Sequence, residues 1–117
     1  MCAALRHNTL VHLSWTGTRT QELTADYELG HCGHWPLRQH STLIYDCWTA
    51  PTARGLGIYP HILALLQQQL LNKAPEVWIY CLQQNKASRR GIEKAGFTLR
   101  GQRQAWRILG YFMGCRQ

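Results

Sequence analysis

The chain has 117 residues, a formal net charge of +7 at pH 7 and 45% hydrophobic residues. That length and composition describe one folded domain and exclude a disordered chain, a repeat array and a low-complexity tract. The excess of Lys and Arg favours anionic partners: a phosphate-rich nucleotide, an acidic substrate, nucleic acid or a membrane surface.

In chain order, Met1–Leu5 is too short and too soon followed by Arg6 and His7 to be expected as a secretory leader. Thr9–Trp15 alternates as a strand does, and Thr16-Gly17-Thr18 then supplies turn chemistry. Glu22–Leu29 reads as a short strand or an irregular arm, and His31–Pro36 as a loop broken by Gly33 and Pro36. His31, Cys32, His34 and His40 have the side chains zinc uses, but not a closed-site spacing, so they are read as loop residues and no metal is expected. The five cysteines, Cys2, Cys32, Cys47, Cys81 and Cys115, are odd in number and form no disulfide framework. Reduced thiols in a reducing compartment are the simplest account, and a cytoplasmic location is the default expectation.

Residues 41–49 read as the central strand. Strict alternation sets Leu43, Tyr45 and Cys47 on one face and Ile44, Asp46 and Trp48 on the other, which leaves Asp46 on a strand expected to be largely buried. A buried carboxylate needs partners or a raised pKa. Asp46 is therefore a candidate acid or base, with a hydrogen-bonded structural aspartate as the alternative. The strand runs into Arg54-Gly55-Leu56-Gly57 and then a helix to about Leu71, with Ile58, Ile62, Leu65, Leu66 and Leu70 on one apolar face and Pro60 in the first turn. Glutamines interrupt that helix, so it is not a membrane span. Val77–Cys81 is a second strand, and the unit reads as a crossover between parallel neighbours. Glycines where a strand enters a helix let backbone approach a ligand. The open N–H groups of the first helical turn suit a phosphate or pyrophosphate, and Arg54 adds a charged donor. An ordinary strand–helix turn is the alternative.

Asn85 and Ser88 open a further helix that Gly96 ends, with Phe97 returning to the core. Gly91 inside it costs about 1 kcal/mol relative to alanine, so a close approach is expected there. Phe97–Arg100 and Ala105–Met113 read as an antiparallel hairpin around Gly101–Gln104, on which Tyr111 is a candidate proton donor.

Two segments together resemble the GNAT superfamily of acyl-CoA-dependent N-acyltransferases. Thr49-Ala50-Pro51 with Arg54-Gly55-Leu56-Gly57-Ile58 is similar to its pyrophosphate-binding segment. Asn85, Ser88 and Glu93-Lys94-Ala95-Gly96-Phe97 are similar to its second cofactor segment. The resemblance spans about residues 42–100. Thr52 stands where the family usually has Arg or Gln, and Ile92 where many members carry a tyrosine proposed as general acid.

The resemblance implies a single α/β domain with a mixed, mostly antiparallel sheet, one parallel β-α-β crossover and flanking helices. In that scheme 1–41 is a shortened acceptor-side region, 42–100 the acyl-CoA-binding core and 101–117 the C-terminal strand. It further implies a bulge in the central strand, where backbone at Cys47, Trp48 and Thr49 meets the thioester. Arg54, Gly55, Leu56, Gly57, Ile58, Asn85 and Ser88 complete the cofactor-binding set, and Asp46 and Tyr111 are the catalytic candidates. The activity implied is transfer of acetyl from acetyl-CoA to a primary amine of a small molecule or peptide. Removing a proton from such an amine, whose ammonium has a pKa of about 10.4, calls for a base; Glu22, Glu28 and His34 join Asp46 as candidates. The alternative is a non-catalytic CoA-binding or assembly module. Trp15, Trp35 or Trp106, if exposed, would favour a subunit contact such as a homodimer. Neither a membrane nor nucleic acid is expected as a partner; the latter needs basic and aromatic residues interleaved on one exposed face.

Overall fold

The computed structural model describes residues 1–18, 40–105 and 108–116, and the side chains of 1–17 and 40–102. The described strands form one sheet in the order β1-β2-β3-β4-β6-β5. They are β1 (Cys2–Arg6), β2 (Thr9–Thr18), β3 (Thr42–Thr49), β4 (Glu76–Leu82), β5 (Thr98–Ala105) and β6 (Ile108–Arg116). A 3-10 turn at Pro51–Ala53 leads into α1 (Ile58–Leu71), and α2 (Lys86–Lys94) follows β4. The β3-α1-β4 crossover makes β3 and β4 the parallel pair, and the other neighbours are antiparallel. The expected α/β class with its mixed sheet is what forms.

Both helices pack on one sheet face. Leu63 and Leu66 of α1 and Ile92 of α2 share a core cluster with Ile44, Val77, Ile79, Cys81, Ala95 and Phe97. Each large apolar side chain buried there contributes roughly 1.5–3 kcal/mol. Of the expected α1 stripe, Leu66 is buried and Ile62 and Leu70 pack against the cluster, but the stripe is shifted at Leu65. Leu63 is fully buried and Tyr59 packs against the cluster, whereas Leu65 is 42% exposed. Ile62 through Leu66 is uninterrupted apolar sequence, so several faces fit the helical period equally well.

Three other boundaries differ from expectation. Thr16-Gly17-Thr18 continues β2, because Thr16, Gly17 and Thr18 pair with Ile44, Leu43 and Thr42. Gly101–Gln104 lies within β5 and pairs with β6, so these residues are strand rather than turn. β5 carries a register shift between Leu99 and Gly101. The unexpected β1 pairs with β2 through a two-residue turn, with Arg6 opposite Thr9. Glu22–Leu29, His31, Cys32, His34, Trp35 and Trp106 lie outside the described residues. Trp15 is 41% exposed. Among the described residues no helix is long and apolar enough to cross a membrane.

His7 and Asn8, in the β1–β2 turn, have φ of 49° and 62°. Positive φ at both central residues is the primed-turn geometry that matches strand twist, and it strains a non-glycine residue. Replacing His7-Asn8 by Asn-Gly is expected to raise stability by about 1 kcal/mol, read from the urea unfolding midpoint.

Candidate active site

The site begins where the parallel ladder stops. Thr42, Leu43 and Ile44 pair with Val77, Trp78 and Ile79, but β3 continues to Thr49 and β4 to Leu82 without further pairing between them. The cause lies in β3. Between Leu13↔Trp48 and Trp15↔Tyr45, β2 advances two residues and β3 three. The extra residue is a bulge at Asp46, whose φ is 48°. Aspartate tolerates this left-handed conformation better than most residues.

The bulge corrects the expected alternation. Past it, Cys47 packs against the same core cluster as Ile44, and Thr49 meets His12 on that face. Trp48 instead pairs with Leu13 and is 43% exposed. Asp46 is exposed, so the burial that made its carboxylate a candidate is absent, although it still lines the cleft. Tyr111 pairs through its backbone with Cys81 at the end of β4; its side chain lies outside those described.

The parted strands open a cleft of about 570 Å³. Cys47, Trp48, Thr49 and Arg54 line one side, Cys81, Asn85 and Ser88 the other, and Tyr59 lies between. Asn85 caps α2: its Oδ1 accepts from the Ser88 backbone N–H at 3.1 Å. The Ser88 hydroxyl lies 3.0 Å from the Tyr59 hydroxyl. Gly91 permits this, since a Cβ there would sit 2.7 Å from Tyr59 Cδ1, and the close approach expected at Gly91 is to that ring. Ile92, at the position of the missing tyrosine, is fully buried.

Gly55 and Gly57 lie in the turn between Arg54 and Tyr59, which line the cleft, but are not themselves among its lining residues; their φ values are 78° and 76°, and a Cβ at either would touch nothing within 4 Å. The backbone conformation, rather than crowding, requires glycine there. Gly57 precedes α1 without a side-chain cap, and no acidic residue stands in the first turn. The positive end of the helix dipole is thus open. Arg54 Nε donates to the Thr49 carbonyl at 3.0 Å, tying the turn to the end of β3.

His12 carried no site expectation from sequence. It is completely buried, 2.8 Å through Nδ1 from Thr49 Oγ1 and 2.6 Å through Nε2 from Ser14 Oγ. Ser14 donates to Cys47 Sγ at 3.4 Å. The available signal was a pair of polar residues, His12 and Ser14, on one face of an otherwise apolar strand. Burial lowers the His12 pKa from 6.5 and raises that of Cys47, with the Ser14 hydrogen bond opposing the latter. Tyr59 is pushed far up by burial, and Cys81 up to about 11 by burial, with Arg89 opposing. All three acidic groups stay protonated near neutral pH. Among the described residues no group of three or more His, Cys, Asp or Glu side chains could hold a metal ion.

Residues 4–98 match the family model described as an acetyltransferase (GNAT) domain, and the chain belongs to that family. No curated protein matches the sequence. Several solved structures share the fold. A GNAT-family acetyltransferase from Streptococcus pneumoniae is 13% identical, with 97% of this chain and 64% of that one covered at a TM-score of 0.71. Ribosomal-protein-alanine N-acetyltransferase from Brucella melitensis is 21% identical, with 98% and 67% covered at 0.70. Aminoglycoside acetyltransferase AAC(6')-Ib, solved with coenzyme A and kanamycin, is 15% identical, with 98% and 64% covered at 0.75. The chain thus spans roughly two thirds of the length of these structures.

Two outcomes are expected. Gly91→Ala forces the Tyr59 ring aside, and the clash, about 1–3 kcal/mol, outweighs the roughly 1 kcal/mol of helix propensity gained. The variant's urea midpoint should fall. Because the unfolded chain binds a proton at His12 more readily than the folded one, stability should drop as pH falls below 6.5 and level off beneath the folded-state pKa. In His12→Gln this part of the stability–pH curve should flatten.

Proposed function

We propose that this chain transfers an acyl group, in the simplest case acetyl, from a CoA thioester to a primary amine of a small molecule or peptide. The observation that carries the reading is the fork between β3 and β4, opening just past the Ile44↔Ile79 pair onto an uncapped helix N-terminus. Family membership makes the acyl donor the natural occupant of that fork.

The residues present fit such a donor. The open space over Gly55 and Gly57 and the free N–H groups at the start of α1 suit a pyrophosphate. Beyond Ile44 the edge of β3 facing β4 has no strand partner, so backbone at Cys47, Trp48 and Thr49 is available to a thioester. A backbone N–H on that edge would stabilise the oxyanion formed when the amine attacks the carbonyl. Arg54, Leu56 and Ile58 border the phosphate end, and Asn85 and Ser88 border the opposite wall. Asp46 lines the cleft and Tyr111, on β6, pairs through its backbone with Cys81; these are the base and acid candidates the sequence offered. Holding the two substrates together supplies much of the remaining rate. The non-catalytic alternative shares the binding and differs only in turnover.

Calorimetric titration with acetyl-CoA tests the reading. The wild type should bind saturably. Gly57→Glu, which sets a carboxylate against the pyrophosphate and strains the backbone, should bind at least tenfold more weakly while keeping its circular-dichroism spectrum. A folded wild type without affinity for acetyl-CoA would remove this reading. Affinity without thiol release in the presence of any amine would select the non-catalytic alternative.

A further inference from the structure

The donors in the buried chain of hydrogen bonds behind the cleft can be read outward from a carbonyl. The Tyr45 carbonyl can only accept, and Cys47 Sγ donates to it at 4.0 Å. Cys47 sulfur in turn accepts from the Ser14 hydroxyl. That hydroxyl has one proton, so at 2.6 Å it must accept from His12 Nε2–H. A neutral His12 protonated on Nε2 leaves Nδ1 as a bare lone pair, and this nitrogen faces Thr49 Oγ1 at 2.8 Å. Thr49 lines the cleft. The basic nitrogen of a buried imidazole is therefore presented to the cleft through a single hydroxyl.

We propose that His12, acting through the Thr49 hydroxyl, accepts the proton that the incoming ammonium must lose; the inference rests on the acyltransferase reading above. As the ammonium gives a proton to Thr49 Oγ1, the threonine's own proton passes to His12 Nδ1. The freed amine attacks the thioester carbonyl, the C–N bond forms and the C–S bond breaks. The proton on His12 returns by the same route to the departing thiolate, and the second proton lost by the nitrogen goes to solvent. Thr49 touches the substrates, and His12 is the residue that positions and drives it.

The surroundings favour a neutral imidazole. From α1, Tyr59 faces it with ring centroids 5.8 Å apart. From β3 come Cys47 and Thr49, and from β1 Cys2, whose Cα partner is Ser14. These are thiols, a phenol and a hydroxyl. Asp46 bears on Cys47 but is itself exposed. Burial without a facing carboxylate lowers the His12 pKa, so the ring is ready to accept at neutral pH.

The test has two arms. In the first, thiol release from acetyl-CoA is followed with spermidine and with a lysine peptide from pH 6 to 9.5. His12→Gln and the near-isosteric Thr49→Val should each lose about 100-fold or more in kcat/KM at pH 7. Both should recover toward the wild type as pH approaches the ammonium pKa, with acetyl-CoA affinity within threefold of wild type. Unchanged rates, or a loss equal at every pH, would overturn the inference while leaving the acyltransferase reading intact. A wild type that binds acetyl-CoA but releases no thiol with either probe would overturn it as well. A wild type that does not bind acetyl-CoA fails at the earlier step and takes both readings down. In the second arm, nitrogen-15 NMR of the free protein should show His12 protonated on Nε2. A ring protonated on Nδ1 cannot accept from Thr49 and overturns the inference whatever the rates.

Discussion

A single extra residue in β3 governs the geometry of this protein. Without the bulge at Asp46, β3 and β4 could continue their parallel ladder, and side chains beyond Ile44 would keep a strict two-residue alternation. With it, the ladder ends after three pairs, the strands part, and Cys47 and Thr49 turn to the helix side of the sheet. The energetic cost is modest. One aspartate sits in a left-handed conformation, at about 1–2 kcal/mol, and a few ladder hydrogen bonds are forgone. The structural return is a cleft along which the edge of β3 facing β4 has no strand partner beyond Ile44.

The bulge also joins two parts of the molecule that are distant in sequence. By placing Thr49 opposite His12 it completes a polar string, Thr49–His12–Ser14–Cys47, inside an otherwise apolar layer. Every member has a partner, which is the condition under which a buried polar network is tolerated. The same string accounts for the lowered basicity of His12 and the weak acidity of Cys47, since both are desolvated without a compensating charge.

Much of this was legible in the sequence where local pattern and tertiary context agree. The strand, glycine turn, helix and strand between Thr42 and Leu82 follow from periodicity and from Gly55, Gly57 and Pro60. Asn85 as a cap and Gly96, with φ of 103°, as a helix stop follow from capping chemistry. What was not legible depended on long-range pairing. The resemblance implied a bulge in this strand, but nothing in Ile44–Thr49 fixes where it falls, and its position decides which side chains share a face, so strict alternation set Asp46 inside and Cys47 on the wrong face. β1 was missed because Cys2–Leu5 is an unbroken apolar run, so its alternation shows only in burial and not in the sequence. His12 escaped notice because its one local signal, a second polar residue at Ser14 on the same face, means little until Thr49 is brought beside it.

The contact between Gly91 and the Tyr59 ring has a mechanical side. Because the ring occupies the space that a methyl group at position 91 would fill, the seam between α1 and α2 and the wall of the cleft are one object. The phenol's hydroxyl is latched to Ser88, one turn ahead of Ile92 in the core. A molecule that presses on this ring pushes on both helices at once, while the sheet behind them is braced by its ladders. Occupancy of the cleft should therefore register as slower amide exchange at the first turns of α1 and α2, with little change along β4 and β6.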